Sequence, residues 1–362
     1  TIGNSPAIIT IRDNDGGAPD GVVVETIEGG AIDEGNTLTR TIHFTDGDDA
    51  GGDGWSYSID WDDGTAAETV TIAAGQSSFD ISRAFADGDA SHNVSVTVTD
   101  ESGDSDSQSF VLDVTNVAPT LVLSGADEVD EGAEYTLNLG AVTDPGADTV
   151  VQHHINWGDG SAIEISTSAG DITHTYADDG DYTIVVDVED DDGVHSSAGS
   201  KSLSVNNVAP VLTLGGAASV AEGSTYTLSL LTLIDPGADT VSNYAINWGD
   251  GSDVVNVNAL GDIDHIYADG NASPTITVTV TDEDGTYDFT QAVEVTNVAP
   301  TIALSGADEV DEGAEYTLNL GAITDPGADT VTQYAIDWGD GSSSSSATAG
   351  DITHTYADDG DY

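Results

Sequence analysis

Apolar and polar residues alternate along most of this chain in short runs, which are separated by clusters of Gly, Asp, Asn and Pro. In one such run Ile184, Val186 and Val188 fall on one face and the residues between them fall on the other. A period of two residues predicts β-strands, and no stretch shows the longer period of a helix. About seven strands with turns between them follow one another from residue 118 to residue 208, which predicts an antiparallel β-sandwich.

A tryptophan recurs about every 90 residues, a period typical of tandem modules. Trp157, Trp248 and Trp338 each end an alternating strand and precede Gly-Asp-Gly-Ser, and Trp61 precedes the looser copy Asp-Asp-Gly-Thr. An alternating strand, a large apolar side chain and a glycine-containing turn together predict a hairpin that is anchored in a core. We therefore predict that all four tryptophans are buried.

Short connectors with the sequence Asn-Val-Ala-Pro separate the modules. Proline fixes its own φ and restricts the residue before it, so these connectors are expected to be extended. They divide the chain into a leading segment and four modules: residues 1–16, then module 1 (20–117), module 2 (118–208), module 3 (209–298) and module 4 (299–362).

Module 4 repeats module 2 closely, because residues 124–141 and 305–322 have identical sequences. It is expected to lack its last two strands and to be completed either by a continuing chain or by a strand from a neighbour, for which Ala7–Ile11 is a candidate. The sequence contains no Met. We therefore expect it to be a piece of a longer protein.

The chain carries 67 acidic residues against 4 Lys and Arg, a formal net charge of -63. Phosphate contacts need Lys and Arg, so this charge excludes binding to nucleic acid and to an anionic membrane surface. No apolar run approaches the length that crosses a bilayer.

The sequence contains no cysteine, so disulfide bonds cannot stabilise the modules. Such a polyanion repels itself at low salt, so it is expected to act where cations are plentiful.

Three motifs follow one another in each of modules 2 and 3: Trp-Gly-Asp-Gly-Ser, a His-x-Tyr-x-Asp segment (residues 174–178 in module 2) and an acidic hairpin (residues 188–193 in module 2). This order resembles the polycystic-kidney-disease (PKD) repeat. The resemblance implies an all-β fold, namely a tandem array of immunoglobulin-like antiparallel β-sandwiches, and an extracellular or cell-surface location. Asp178-x-Gly180-x-Tyr182 likewise resembles an immunoglobulin tyrosine corner. Module 1 is the divergent copy: Arg83-Ala84-Phe85 replaces His-x-Tyr, and a Gly/Asp-rich insertion runs from Asp46 to Gly54.

Residues 1–16 do not belong to the repeat. The alternating strand Ala7–Ile11 is followed by Asp13-Asn14-Asp15, which resembles the closing strand of a Calx-beta domain.

Acidic residues recur in loops that an immunoglobulin-like sandwich places near each connector. Carboxylate and amide oxygens are the ligands that Ca²⁺ prefers, and six to eight of them surround the ion. We predict calcium sites at the module junctions, a layout similar to that of cadherins. The alternative is an acidic surface adapted to high salt that binds no specific ion. The candidate ligands are Glu131, Asp178, Asn207, Asp235, Asp239, Asp282, Asp284, Asn116, Asp144, Asp148, Asp190, Asp192, Asn297, Asp325 and Asp329.

Three histidines, His174, His265 and His354, occupy the same position in successive modules. A catalytic residue repeated in every module would be unusual, so packing or capping is the expected role. The adjacent His153 and His154 point to opposite faces of a strand, which disfavours a zinc site. No cysteine nucleophile, nucleophile elbow or phosphate loop is present. The chain is expected not to be an enzyme.

These observations predict a calcium-stiffened extracellular stalk, filament or adhesin spacer within a large prokaryotic surface protein. Its expected partners are the flanking modules, other copies of itself or a surface polysaccharide. Two alternatives remain: an accessory polysaccharide-binding or spacer region of a secreted hydrolase, and a subunit of a surface layer or self-assembling fibre. Polysaccharide binding would favour an exposed aromatic platform, for which only Trp55 is left unassigned.

Overall fold

A computed structural model describes residues 21–47, 54–101 and 103–362, and all regular secondary structure in these ranges is β. The predicted Calx-beta-like strand, the leading segment 1–16 and most of the insertion in module 1 lie outside the described residues. No helix in the described part of the chain is long and apolar enough to span a membrane.

Module 1 contains two sheets. One has the strand order β1-β3-β6 and the other the order β2-β8-β7-β4-β5. Its strands are β1 (Val23–Val24), β2 (Gly30–Asp33), β3 (Thr37–Thr45), β4 (Trp55–Asp60), β5 (Glu68–Ile72), β6 (Ser78–Ala84), β7 (Ala90–Thr99) and β8 (Ser105–Thr115).

Module 2 repeats this arrangement with sheets of order β14-β11-β9 and β10-β16-β15-β12-β13. Its strands are β9 (Thr120–Gly125), β10 (Glu128–Asp130), β11 (Glu134–Thr143), β12 (Gln152–Asn156), β13 (Glu164–Ser166), β14 (Gly170–Thr175), β15 (Gly180–Glu189) and β16 (Val194–Asn206).

Module 3 has the three-stranded sheet β17-β19-β22, the four-stranded sheet β21-β20-β23-β24 and the pair β18-β25. Its strands are β17 (Val211–Gly215), β18 (Ser219–Ala221), β19 (Thr225–Ile234), β20 (Asn243–Asn247), β21 (Val255–Val257), β22 (Gly261–Ile266), β23 (Thr275–Thr281), β24 (Thr286–Ala292) and β25 (Glu294–Thr296).

Module 4 has the sheet β26-β27-β30 and the pair β28-β29. Tyr316 and Leu318 on β27 are partly exposed, whereas their counterparts Tyr226 and Leu228 in module 3 are buried. The difference arises because residues 299–362 provide no counterparts of β23 and β24 to cover that face. The strands are β26 (Thr301–Gly306), β27 (Glu315–Thr324), β28 (Tyr334–Asp337), β29 (Ser343–Ser346) and β30 (Gly350–Thr355).

One short strand in modules 1 and 3 pairs in parallel with the last strand of the same module. β2 pairs with β8 and β18 pairs with β25, whereas the other described strand pairs of these modules are antiparallel. The chain thus crosses from one sheet to the other between its first two strands and ties the end of the module to its beginning. The predicted fold class, a tandem array of antiparallel β-sandwiches, is confirmed.

The core of each complete module lies between the inner faces of its sheets. On β23 the alternating residues Ile276, Val278 and Val280 are fully buried, as the period of two predicts. The prediction that the four repeated tryptophans are buried is confirmed, since all of them are at most 4% exposed. Trp55, which sequence alone left unassigned, is also buried; its ring meets Phe44 edge to face at 5.3 Å.

The chain divides into two compact units. The first contains residues 134–174 and 181–204 together with the described residues up to 129. The second contains residues 130–133, 175–180 and 205–362. The connector between modules 1 and 2 therefore lies within the first unit, and the other two connectors lie within the second.

Candidate metal centre

The same two loops meet at each of the three connectors. One is the Glu-Gly turn of the earlier module, and the other is the Asp-Pro-Gly-Ala-Asp loop of the later one, at residues 144–148, 235–239 and 325–329. The alanine N–H of the second loop donates a 2.7 Å hydrogen bond to an alanine carbonyl of the earlier module, from Ala147 to Ala86, Ala238 to Ala177 and Ala328 to Ala268. The contact is the same at all three connectors, which indicates that it is built into the repeat.

A buried glutamate occupies the centre of each junction. Glu34, Glu131 and Glu222 are at most 1% exposed. In each of them Oε1 accepts a 2.7 Å hydrogen bond from the N–H of the connector valine, Val117, Val208 or Val298. Oε2 is buried as well, but it accepts no hydrogen bond from any residue that the structure describes. Burying a charged carboxylate oxygen without a partner is strongly unfavourable, so each junction leaves an oxygen that a cation or a proton would stabilise.

The glycine of the Asp-Pro-Gly-Ala-Asp loop allows this loop to reach the glutamate. A Cβ atom placed on Gly237 would lie 2.5 Å from the carboxyl carbon of Glu131, and one on Gly327 would lie at the same distance from that of Glu222. Any other residue would push the loop away. The close approach brings the aspartates at both ends of the loop to the glutamate.

Carboxylates from both modules converge around the buried glutamate. Within each group the potential ligand oxygens all lie within 4.8 Å of one another, a spacing that one ion can span. The groups that contain the glutamate are Glu34, Asp87, Asp148 and Asp192 at the first junction, Glu131, Asp178 and Asp239 at the second, and Glu222, Asp269 and Asp329 at the third.

The electrostatics of the junctions are those of uncompensated negative charge. Burial, followed by the neighbouring Glu131 and Asp235 charges, raises the pKa of Asp239 to about 7. Burial and then Glu34 raise the pKa of Asp148 to about 6. The positively charged side chains in the described ranges make their contacts away from the junctions. Arg83 pairs with Asp63 and Glu68, Lys201 pairs with Asp127, and Arg40 lies over the Phe110 ring. A bound dication would relieve this repulsion.

The comparisons with known proteins identify the modules. The family model described as the PKD domain matches residues 116–205, 207–296 and 297–362, more than half of the chain. The chain belongs to the PKD domain family. No curated protein matches it.

Two solved structures are similar to the chain at low identity. The Drosophila OTK structure of extracellular domains 3–5 is 11% identical with a TM-score of 0.28, over 77% of this chain and 98% of that one. The fibronectin(III)-like modules of Clostridium thermocellum CbhA are 14% identical with a TM-score of 0.22, over 51% of this chain and 92% of that one.

The PKD modules bring together most of the ligands proposed from sequence. Glu131, Asp178 and Asp239 share one group. Asp284 lies close enough to raise the pKa of Asp179, after burial, and also that of Glu131. Two of the connector asparagines donate their side-chain N–H to a carboxylate of a cluster, Asn116 to Asp192 at 2.5 Å and Asn297 to Asp329 at 2.6 Å. At the second junction, Asn207 Oδ1 accepts a hydrogen bond from Tyr287.

The remaining proposed ligands lie on the loops of the later module. Asp144 and Asp190 group with Asp148, and Asp235 and Asp282 group with Asp239. Asp192 belongs to the Glu34 group, and Asp325 holds the N–H of Gly327 through Oδ1 while its Oδ2 stays buried.

Sequence reasoning missed four members of these clusters, namely Glu34, Asp87, Glu222 and Asp269. Glu34 and Glu222 stand before a glycine as Glu131 does, and Asp87 and Asp269 follow an aromatic-Ala pair as Asp178 does. The signal was therefore present: an alignment of the PKD modules with one another would have added the Glu and Asp of the earlier module at the first and third junctions, as already proposed at the second.

The repeated histidines pack on the core tryptophans. The rings of His174, His265 and His354 stack on Trp157, Trp248 and Trp338 with centroids 4.5 to 4.6 Å apart. Each Nε2 is also 2.7 Å from the aspartate of the Gly-Asp-Gly turn, Asp159, Asp250 or Asp340. These contacts fasten the turn to the sandwich. His153 is buried, and His154 instead bonds Glu189 at 2.9 Å.

This turn predicts a measurable acid sensitivity. Burial acts to raise the pKa of Asp250, but hydrogen bonds from Ser252 and His265 lower it to about 2. Because this pKa lies below its unfolded value, the carboxylate stabilises module 3 above about pH 4, and this contribution is lost as the pH falls towards 2. Asp250→Asn is expected to lower the free energy of unfolding by up to about 1 kcal/mol at neutral pH. Denaturation should show this difference shrinking below about pH 4; a difference that stays constant with pH would contradict it.

Proposed function

We propose that this array of PKD modules is a structural spacer of an extracellular protein whose junctions are stiffened by calcium. The observation that carries the proposal is the buried glutamate with a hydrogen-bonded Oε1 and an unpartnered Oε2, which occurs at all three junctions. A solvated acidic surface would leave such oxygens exposed to water. Here they are buried next to the carboxylates of a second module.

The donor set favours calcium over other common metal ions. The members of the five junction groups named above all offer oxygen, and these groups contain neither histidine nor cysteine, the ligands that zinc prefers. Magnesium requires a near-ideal octahedron and keeps several of its waters, whereas calcium accepts six to eight oxygens in a flexible arrangement. Clusters assembled from separate loops suit the flexible ion.

Ion binding would couple the two modules at each junction. At the second junction Glu131 and Asp178 belong to module 2, whereas Asp239 belongs to module 3, so an ion bound by all three restrains both. Extracellular calcium sites typically have Kd values of about 10⁻⁴ to 10⁻³ M. At a hundredfold excess over Kd, each such ion adds about 2.7 kcal/mol to the stability of the folded state.

A spacer fits the surface better than a carbohydrate platform does. All five tryptophans are buried, so none of them offers an exposed ring on which a sugar could stack. This disfavours the polysaccharide-binding form of the hydrolase-accessory alternative, and its spacer form is consistent with this proposal.

Thermal unfolding of the full chain tests the proposal. Millimolar calcium should raise the melting temperature more than sodium chloride of matched ionic strength, because sodium screens charge but does not replace a multidentate ion. The gain should be larger near pH 8 than near pH 5: Asp239, with its pKa of about 7, binds a proton in the folded state at low pH, and calcium must displace it. Equal melting temperatures in the two salts would contradict the calcium sites and favour an acidic surface that binds no specific ion.

A distance measurement tests the stiffening itself. The chain has no cysteine, so spin labels can be placed at Thr71→Cys in module 1 and Ser200→Cys in module 2, both exposed. Calcium should narrow the distribution of distances between the labels. The same pair in a Glu34→Gln background should stay broad. If calcium leaves the width unchanged in both proteins, the ion does not restrain the junction.

A further inference from the structure

Each of the first two junctions contains two carboxylate groups that share one aspartate. At the first, Asp148 belongs both to the Glu34 group and to a group with Asp144 and Asp190. At the second, Asp239 belongs both to the Glu131 group and to a group with Asp235 and Asp282. The shared residue is the last residue of the Asp-Pro-Gly-Ala-Asp loop in both cases.

The hydrogen bonds distinguish this shared aspartate from its neighbours. Asp235 uses Oδ1 to accept the N–H of Gly237, and Asp282 uses Oδ1 to accept two N–H groups, those of Asp284 and Gly285. The second oxygen of each is buried and accepts no hydrogen bond from the described residues. In contrast, both oxygens of Asp239 are buried without a hydrogen-bond partner in the described chain, and the same holds for both oxygens of Asp148.

Each of the two groups that share Asp239 contains a nearly buried acid of its own. Glu131 is 1% exposed and lies in one group, whereas Asp282 is 8% exposed and lies in the other. Each has one buried oxygen without a hydrogen bond from the described residues. At the first junction Glu34 and Asp190, 1% and 4% exposed, repeat this arrangement. Each group therefore has its own nearly buried carboxylate in need of a cation.

We propose that each of these junctions binds two calcium ions, bridged by the two carboxylate oxygens of Asp148 or Asp239. This inference rests on the proposed function, because it takes calcium as the ion. The first ion is held by Glu131, Asp178 and one oxygen of Asp239, and it spans two modules. The second is held by Asp235, Asp282 and the other oxygen of Asp239, and all of its protein ligands come from module 3.

The charge at the second junction favours two ions over one. The two groups together contain five carboxylates: Glu131, Asp178, Asp235, Asp239 and Asp282. One dication would leave three negative charges at a largely buried centre, whereas two would leave one. Because the bridging carboxylate lies between the two ions, it also offsets their mutual repulsion.

The two ions have different tasks. The second ion fixes the loop of module 3 and orients Asp239 before the neighbouring module is engaged. The first ion then joins this prepared loop to Glu131. Module 3 thus carries part of its junction in a preorganised form, which lowers the entropy lost when the joint is fixed.

Counting bound calcium in the full chain tests the bridge. Equilibrium dialysis at saturating calcium, in a sodium chloride background, should give one ion fewer per chain for Asp282→Asn and one fewer for Glu131→Gln. It should give two fewer for Asp239→Asn. Asp253→Asn removes one charge from an exposed position of module 3 and should lose none. Near-UV circular dichroism in the presence of a chelator should match wild type for all four, which shows that they are folded.

The outcomes separate this proposal from the function on which it rests. If Asp239→Asn loses one ion and Asp282→Asn loses none, the junction holds a single calcium; the bridge is then wrong and the calcium-stiffened spacer stands. If the wild-type chain retains no bound calcium in the sodium chloride background, both the bridge and the calcium-stiffened spacer are wrong. If a variant loses its near-UV spectrum, the count is taken from Asp148→Asn at the first junction, where the bridge again requires a loss of two.

Discussion

Trp248→Ala is expected to lower the free energy of unfolding of module 3 by about 3–5 kcal/mol, the range for removing a large aromatic side chain from a packed core. Trp248 is 1% exposed, its ring meets Tyr226 edge to face at 6.4 Å, and the His265 ring stacks on it at 4.5 Å. Truncation to alanine removes all of these contacts at once and leaves a cavity that the surrounding strands fill only in part.

Two control variants separate this core effect from others. Trp248→Phe should be milder, because the buried indole N–H donates to no group in the part of the chain that the structure describes. Val211→Ala, at an exposed position of the same module, should change the stability by less than about 0.5 kcal/mol. Hydrogen exchange of peptides from module 3 reports the loss locally. A loss below about 1 kcal/mol for Trp248→Ala would contradict the role of the tryptophan as the core anchor.

Gly132→Ala is expected to weaken calcium binding at the second junction by more than about tenfold, or about 1.4 kcal/mol. Gly132 has a φ of +69°, and a Cβ atom there would lie 2.5 Å from the carbonyl oxygen of Pro236. The added methyl group must displace the Asp-Pro-Gly-Ala-Asp loop, and with it Asp235 and Asp239. Gly132 itself belongs to module 2, so the stability of module 3 without calcium should change little.

The chain itself supplies the matched control for this substitution. Gly313 occupies the same position of module 4 in an identical stretch of sequence, and its φ of +75° is nearly the same. A Cβ atom on Gly313 has nothing within 4 Å in the described structure. Gly313→Ala therefore carries the same backbone strain, about 1–2 kcal/mol, without the clash. Calcium titrations followed by thermal unfolding should separate the two variants. If both lose the same affinity, the loop contact is not what holds the site.

The fold could be predicted largely from sequence because its signals are local. The alternation at Ile276, Val278 and Val280 states which face of β23 is buried, and the tryptophan before each Gly-Asp-Gly turn states where the core lies. The burial of Trp55 was not predicted, because this residue lies in module 1 next to an insertion that breaks the repeat. No local pattern there distinguishes a core position from a surface one.

The candidate site could be predicted only in part. The acidic loops are visible in the sequence, and their position near the connectors follows from the fold. The sequence does not show which carboxylate oxygens accept hydrogen bonds. Asp235 and Asp239 are both aspartates of one loop, yet only Asp235 accepts a hydrogen bond from a backbone N–H. That distinction depends on the turn geometry and on the close approach of two modules, which no single stretch of sequence encodes.

The placement of the two halves of each junction has a consequence for the evolution of the array. In module 3, Glu222 precedes the ten-residue strand β19 and Asp235 follows it, so the two halves lie at opposite ends of the sandwich. Such a head-to-tail interface joins unlike surfaces, so each module can pair with the next one along the chain in the same way. A duplicated module therefore brings both halves of a joint with it, and unequal recombination can lengthen or shorten the array without a new interface having to arise. The identical sequences of residues 124–141 and 305–322 are the trace that such an exchange leaves.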